Sequence, residues 1–122
     1  SRIMQSIVEN IPYQIGGNVL NTGHLISNFT ENACVEVPCL VNGNGIIPCH
    51  VGELPLQCAA MNMSNIAVQL LTIEAAKTRK KEYIYQAAMM DPHTAAELNI
   101  KDIYMMVDEL LEAHKDWLPQ YE

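Results

Sequence analysis

The apolar residues change their period along the chain, and the changes divide it into two parts. Ile3, Met4, Ile7, Val8 and Ile11 recur at the three- and four-residue steps that place side chains on one face of a helix. The stripe is already under way at the third residue, so the chain is expected to start within that element. Pro12 ends it, because proline lacks an N–H and its ring clashes with the preceding turn. Residues 13–21 read as extended, with Ile15 and Val19-Leu20 on either side of Gly16-Gly17, a pair that suits a bulge or turn. Between 33 and 41 the alternation is clearer. Ala33, Val35, Val37, Cys39 and Val41 share one side, and Cys34, Glu36, Pro38 and Leu40 the other, the period of two that a strand imposes. Pro38 cannot donate to a ladder and so predicts an edge strand or a break in the pairing. Asn42-Gly43-Asn44-Gly45, whose residue types tolerate positive φ, predicts a reversal into a further strand over 46–51 and hence a hairpin.

After Pro55 the chain turns to Ala, Met, Leu, Gln and Glu, which favour helix. A long helix is predicted over 56–78, apolar on most sides through Ala59, Met63, Ile66, Leu70, Leu71 and Ala75, and therefore expected to be largely buried with cover on two sides. A second helix is predicted over 80–90. Asp91-Pro92 has the form of an N-cap followed by proline at the first helical position, opening a short helix through Leu98. The last helix, over 101–114 with Asn99 as cap, is amphipathic: Ile103, Met106, Val107, Leu110 and Leu111 face one way, Asp102, Asp108, Glu109 and Glu112 the other. Trp117-Leu118-Pro119 is expected to fold back onto an apolar surface. The fold class is α+β, with strands and a hairpin in the N-terminal half followed by packed helices, as one domain over 1–122.

Composition narrows the function classes. A chain of 122 residues buries roughly two-thirds of its unfolded surface, and 49% hydrophobic against 17% charged residues argues against disorder. The net charge is −7 and the one basic cluster, Arg79-Lys80-Lys81, is too short to track a phosphate backbone, so no nucleic-acid partner is expected. No run approaches the ~20 apolar residues that cross a bilayer, and no secretory leader is evident, so a soluble cytoplasmic protein without a membrane partner is expected. Cys34, Cys39, Cys49 and Cys58 stand in Val/Leu-rich surroundings with no Cys-x-x-Cys pair; reduced, buried thiols are expected, and no structural zinc.

Common catalytic signatures are missing. There is no Gly-x-Gly-x-x-Gly, no phosphate loop ending in Gly-Lys-Ser/Thr and no Gly-x-Ser-x-Gly elbow. Cys49 and His50, as neighbours on a strand, would point to opposite faces and so ligate one ion poorly. His24 in a polar loop, His93 near a helix start and His114 near a helix end all suit solvated roles. Glu36 stands out as a carboxylate inside an apolar strand, where it either faces water or pairs with a polar group at a site. Asn18, Asn21, Asn28 and Asn32 form an amide-rich stretch that would suit sugar hydroxyls, although turn chemistry explains most of them equally well.

Two longer segments carry a resemblance. The run from Asn18 through Asn21-Thr22-Gly23-His24 to Asn28, followed by Val35-Glu36-Val37-Pro38-Cys39, Asn44-Gly45-Ile46, Pro48 and Val51-Gly52, resembles the C-terminal region of glycoside hydrolase family 4. Ala87-Ala88-Met89-Met90-Asp91-Pro92-His93 and Asp116-Trp117-Leu118-Pro119 look like its α-galactosidase branch. The resemblance implies a fold similar to the C-terminal domain of these enzymes, of lactate/malate dehydrogenase C-terminal type. It also implies an oxidation–elimination–addition–reduction route. Bound NAD⁺ oxidises the sugar C3 hydroxyl, the C2 proton is lost with Mn²⁺ stabilising the enediolate, the leaving group departs, water adds and the hydride returns.

The family's cofactor loop, metal-binding Cys and His, and catalytic acid and base lie upstream of the matched region, so no catalytic, cofactor or metal residue carries over. The resemblance places Asn18, Asn21, Gly23, Asn28 and Glu36 on the substrate side. It departs from the family at Leu20, commonly proline, and at Phe29-Thr30, often Leu-Pro. The implied partners are an N-terminal NAD-binding Rossmann domain not contained in this sequence, an α-galactoside and further copies of the protein in a homo-oligomer, and the chain by itself is expected to be inactive. The alternative is a non-catalytic helical interaction or oligomerisation module, with Met61, Met63, Met89, Met90, Met105 and Met106 as an adaptable contact surface.

Overall fold

The computed structural model describes residues 1–122, which form two compact units, Ser1–Ala59 and Ala60–Glu122. The first unit opens with α1, Arg2–Glu9, closed by Asn10 in the left-handed region at φ 54. The Oδ1 of Asn10 accepts from Gly43 N at 2.8 Å and so ties the end of α1 to the hairpin turn. Ser6, not an apolar residue, is the buried member of α1; its Oγ lies 2.8 Å from Val41 O and 2.5 Å from Ile11 O. The apolar stripe of α1 faces outward, with Met4 62% and Val8 83% exposed.

Three antiparallel strands follow in the order β1 (Tyr13–Leu20), β2 (Cys34–Asn42) and β3 (Gly45–Pro48). The alternation predicted for β2 is realised: Val35, Val37, Cys39 and Val41 are buried on the inner face, while Cys34, Glu36, Pro38 and Leu40 are exposed on the outer face. One expectation about the strands needs correction. Gly16-Gly17 makes neither bulge nor turn, since β1 pairs without interruption from Tyr13↔Val41 to Leu20↔Cys34. The glycines make room instead: a Cβ would stand 2.8 Å from Glu36 Oε1 at Gly16 and 2.7 Å from Cys39 Sγ at Gly17. Of the two settings that Pro38 allows, an edge or a break in the pairing, the break is the one found, since β2 lies between the other two strands. Pro38 sits where the β2–β3 ladder runs out, its carbonyl accepting from Cys49 N at 2.8 Å while its missing N–H leaves the reciprocal bond unmade. That gap explains why β3 stops at Pro48 rather than reaching Val51. The intervening turn requires positive φ only at Gly45, at φ 100, and is braced by Asn44 N donating to Asn42 Oδ1 at 2.8 Å.

The second unit is helical, with α2 (Leu56–Thr78, from Ala60 onward), α3 (Lys81–Met90), α4 (Pro92–Glu97) and α5 (Ile100–Ala113). Its buried apolar residues are Ile66, Ala75, Ala87, Ile103 and Val107. The caps read from sequence are in place: Asp91 Oδ2 accepts from Thr94 N at 2.8 Å, and Asn99 Oδ1 from Asp102 N at 3.1 Å. The expected two-sided burial of α2 is not seen. Met61 is 74% and Ile73 47% exposed, because an all-round apolar helix needs neighbours on more faces than this unit supplies. Trp117 likewise does not fold back but stands 87% exposed. Of the four thiols only Cys39 is buried, in the inner sheet face; Cys34 lies on the outer face and Cys49 and Cys58 are also exposed, so the expectation of buried cysteines holds at one position. No helix is long and apolar enough to cross a membrane.

Candidate functional site

The loop between β1 and β2 is organised by one amide. Asn21 is wholly buried; its Nδ2 donates toward Ile26 O and Phe29 O at 3.0 Å and Thr30 O at 3.2 Å, and its Oδ1 accepts from Ile26 N at 2.8 Å. These bonds wrap residues 21–30 around a single side chain, the local turn chemistry to which asparagine is suited. Gly23 and His24 take left-handed conformations at φ 74 and φ 55 to turn the chain, and Gly23 N donates to Glu31 Oε1 at 2.8 Å. His24 Nδ1 lies 3.1 Å from Phe29 O, on the same loop. Asn28 clasps the backbone of Leu54 from both sides, donating to its O at 2.9 Å and accepting from its N at 3.1 Å. Ser27 N donates to Gly52 O at 2.9 Å, fixing the loop beside the segment that follows β3.

The outer face of the sheet offers different chemistry. Asn18 and Glu36 are directly opposed partners in the β1–β2 register and both are exposed. Neither side chain makes a hydrogen bond within the chain, so one rung presents a carboxylate with open acceptor sites beside an amide that can donate and accept. The Glu36 carboxylate leans over Gly16, as the 2.8 Å approach of a built Cβ to Oε1 records. Gln14, Gly16, Glu36 and Pro38 are among the residues that line an open hollow of about 400 Å³ on this face. A hydroxyl-rich ligand, which needs several acceptors and donors side by side, suits that set.

Of the five substrate-side residues read from sequence, then, the fold brings Asn18 and Glu36 together on one rung. Asn21, Gly23 and Asn28 have polar groups engaged by the loop and by Leu54. Gln14 and Gly16 are not among the site residues read from the sequence. The signal was there in the period of two, which places Gln14, Gly16 and Asn18 on one side of β1. Cys49 and His50 form no paired site: His50 Nε2 is 3.5 Å from Ser27 Oγ, and both Cys49 and His50 are exposed.

This β1–β2–β3 sheet and its loop have recognisable relatives. Residues 1–94 match the model of the family 4 glycosyl hydrolase C-terminal domain, and the chain belongs to that family. Within it, the chain is 58% identical over 122 residues to an alpha-galactosidase of Bacillus subtilis (strain 168), covering 100% of this chain and 28% of that protein. Its structure is similar to that of a 6-phospho-alpha-glucosidase from gut microorganisms in complex with NAD and glucose-6-phosphate, with a TM-score of 0.86 and 25% identity over 99% of this chain and 26% of the other. A second 6-phospho-alpha-glucosidase structure, in complex with NAD and Mn²⁺, shares the fold at a TM-score of 0.83 and 20% identity, covering 99% of this chain and 27% of the other. The chain thus spans about a quarter of the length of these proteins.

Both of those structures hold NAD, and the second also holds Mn²⁺. The residues of this chain do not fit either group by themselves. They include no set of three or more His, Cys, Asp or Glu that could hold a metal ion, and no glycine-rich dinucleotide loop.

Proposed function

We propose that this chain is part of an α-galactosidase that works with NAD⁺ and Mn²⁺, and that it lends substrate-side groups rather than the reacting centre. The 58% identity over all 122 residues to an alpha-galactosidase carries the reading. In this proposal the outer rung of Asn18 and Glu36 faces the sugar, with Glu36 accepting from a hydroxyl and Asn18 donating or accepting beside it. The loop held by Asn21 and Asn28 sets where that rung ends. The cofactor supplies hydride chemistry and the metal stabilises negative charge from elsewhere in the polypeptide, so the chain alone does not turn over substrate. The proposal includes a cytoplasmic, homo-oligomeric parent.

The test is to replace the matching segment of the Bacillus subtilis alpha-galactosidase with this chain and assay the product with NAD⁺, Mn²⁺ and a reductant. Hydrolysis of a nitrophenyl α-galactoside and not of a 6-phospho-α-glucoside is expected. Preference for the phosphorylated glucoside would overturn the assignment of the sugar. In the same enzyme Glu36→Gln is expected to raise KM several-fold, since a neutral amide is a weaker acceptor for a hydroxyl. An unchanged KM would remove Glu36 from the substrate side.

A further inference from the structure

The turn that joins β2 to β3 carries two Asn-Gly pairs in succession, Asn42-Gly43 and Asn44-Gly45, and no other asparagine of the chain is followed by glycine. In such a pair the side-chain amide carbon and the next backbone nitrogen can meet with little obstruction, since glycine has no Cβ to stand between them. The fold treats the two pairs differently. At the first, the nitrogen that would attack is occupied, Gly43 N donating to Asn10 Oδ1 at 2.8 Å. The Asn10 side chain also covers the approach, for a Cβ at Gly43 would stand 2.8 Å from its Oδ1 and 3.1 Å from its Cγ. The Asn42 amide is held as well: the residue is half-buried, and its Oδ1 accepts from Asn44 N at 2.8 Å. At the second pair, Asn44 is exposed and its side chain makes no hydrogen bond within the chain. Gly45 stands at φ 100 with nothing within 4 Å of the position a Cβ would take, at the last rung of the β2–β3 ladder, Asn42↔Gly45.

We propose that Asn44 is a site of spontaneous deamidation and that Asn10 shields Asn42 from the same reaction. Gly45 N, on losing its proton, bonds to Asn44 Cγ. The Cγ–Nδ2 bond breaks, ammonia leaves with that proton, and a five-membered succinimide is closed. Water then opens the ring. Cleavage at Cγ gives aspartate, and cleavage at the main-chain carbonyl gives isoaspartate, in which the backbone runs through Cβ and Cγ and is one carbon longer. Nothing is oxidised or reduced, and water is the only co-reactant. Either product adds a negative charge to a chain already at −7. Isoaspartate also lengthens the turn at the rung that closes the hairpin. Turn length fixes hairpin register, and β3, a four-residue strand at the edge of the sheet, has few other rungs to keep it. The proposal stands on this turn and is independent of the sugar assigned above.

The test follows the 122-residue chain over time in mildly alkaline buffer, by intact mass and by peptide mapping with fragmentation that separates isoaspartate from aspartate. A gain of about 1 Da, NH2 giving way to OH, is expected at Asn44. It should arise there at least ~10-fold faster than at Asn42, where two side-chain hydrogen bonds must open first. The same chain unfolded in urea, with neither amide held, should modify the two at rates within roughly threefold of each other. Asn10→Gly keeps the left-handed end of α1 and removes the shield, so it should raise the Asn42 rate several-fold with the circular dichroism unchanged. Asn44→Gln, whose amide would have to close a six-membered ring, should abolish the fast reaction. A folded chain that modifies Asn42 as fast as Asn44, or that keeps Asn44 intact while the unfolded chain loses it, overturns the proposal. An Asn42 rate that Asn10→Gly leaves unchanged overturns the shield.

Discussion

Asn21→Leu is the sharpest structural perturbation that the fold suggests. The substitution keeps the volume of a wholly buried side chain and removes every polar atom that wraps the β1–β2 loop. Ile26 N loses its acceptor, and the carbonyls of Ile26, Phe29 and Thr30 lose their shared donor. A buried polar group left unsatisfied costs about 1–3 kcal/mol, and at least two are stranded together, so a loss of about 3–5 kcal/mol is expected. That is a large share of the ~5–15 kcal/mol by which a domain is folded. With a urea slope of about 2 kcal/mol/M, the unfolding midpoint of the 122-residue chain should fall by about 2 M. Asn18→Ala is the control: the residue is exposed and makes no internal hydrogen bond, so its change should stay within about 0.5 kcal/mol. If Asn21→Leu moved the midpoint by less than about 0.5 M, the claim that one amide holds this loop would be wrong.

Three further outcomes follow from the same geometry. Gly17→Ala drives a Cβ to within 2.7 Å of the buried Cys39 Sγ and should cost about 1–3 kcal/mol in urea unfolding, whereas Gly16→Ala meets only the exposed end of Glu36 and should cost less than about 1 kcal/mol. Asp91 accepts from Thr94 N and then from the Thr94 hydroxyl, which holds its carboxyl below the usual range. Its contribution is therefore present above the ordinary carboxylate pKa and fades as the pH falls through the lower folded value. Stability curves of the protein and of Asp91→Ala should separate at neutral pH and converge in acid. The Tyr85 phenol donates to Asp108, which pushes its pKa up to about 12. Stability from this bond is present below the ordinary tyrosine pKa of ~10 and lost as the pH rises through the raised value. Phenolate absorbance should show one of the five tyrosines titrating late, and Asp108→Asn should bring it back toward the others.

Much of the fold was legible because local rules agreed with the tertiary result. The Val35-Val37-Cys39-Val41 alternation, the Asn-Gly turn and the caps at Asp91 and Asn99 all read correctly, each being a property of a few neighbouring residues. The misreadings arose where the reason lay across the sheet. Gly16 and Gly17 signalled a break to a reading along the chain, but they serve Glu36 and Cys39 on the neighbouring strand. Pro38 signalled an edge or a break, and only the register across the sheet decides for the break, the ladder on its β3 side ending there. Burial was harder still, since the exposure of Trp117 and of much of α2 depends on what else packs against them. For the candidate site, Asn18 and Glu36 were legible as residue types, but their pairing on one rung depends on the β1–β2 register. Asn21 illustrates the converse, for an asparagine in a loop gives the same signal in sequence whether it faces a ligand or its own backbone.

The most direct test of the central claim compares two samples in one assay with a nitrophenyl α-galactoside, NAD⁺, Mn²⁺ and reductant. One is this chain alone, the other the Bacillus subtilis alpha-galactosidase carrying it in place of its own matching segment. The account predicts no turnover and no calorimetric NAD⁺ binding by the chain alone, and galactoside hydrolysis by the segment-replaced enzyme. Turnover or tight NAD⁺ binding by the 122 residues themselves would contradict it, as would a correctly folded segment-replaced enzyme that binds NAD⁺ yet leaves the galactoside intact.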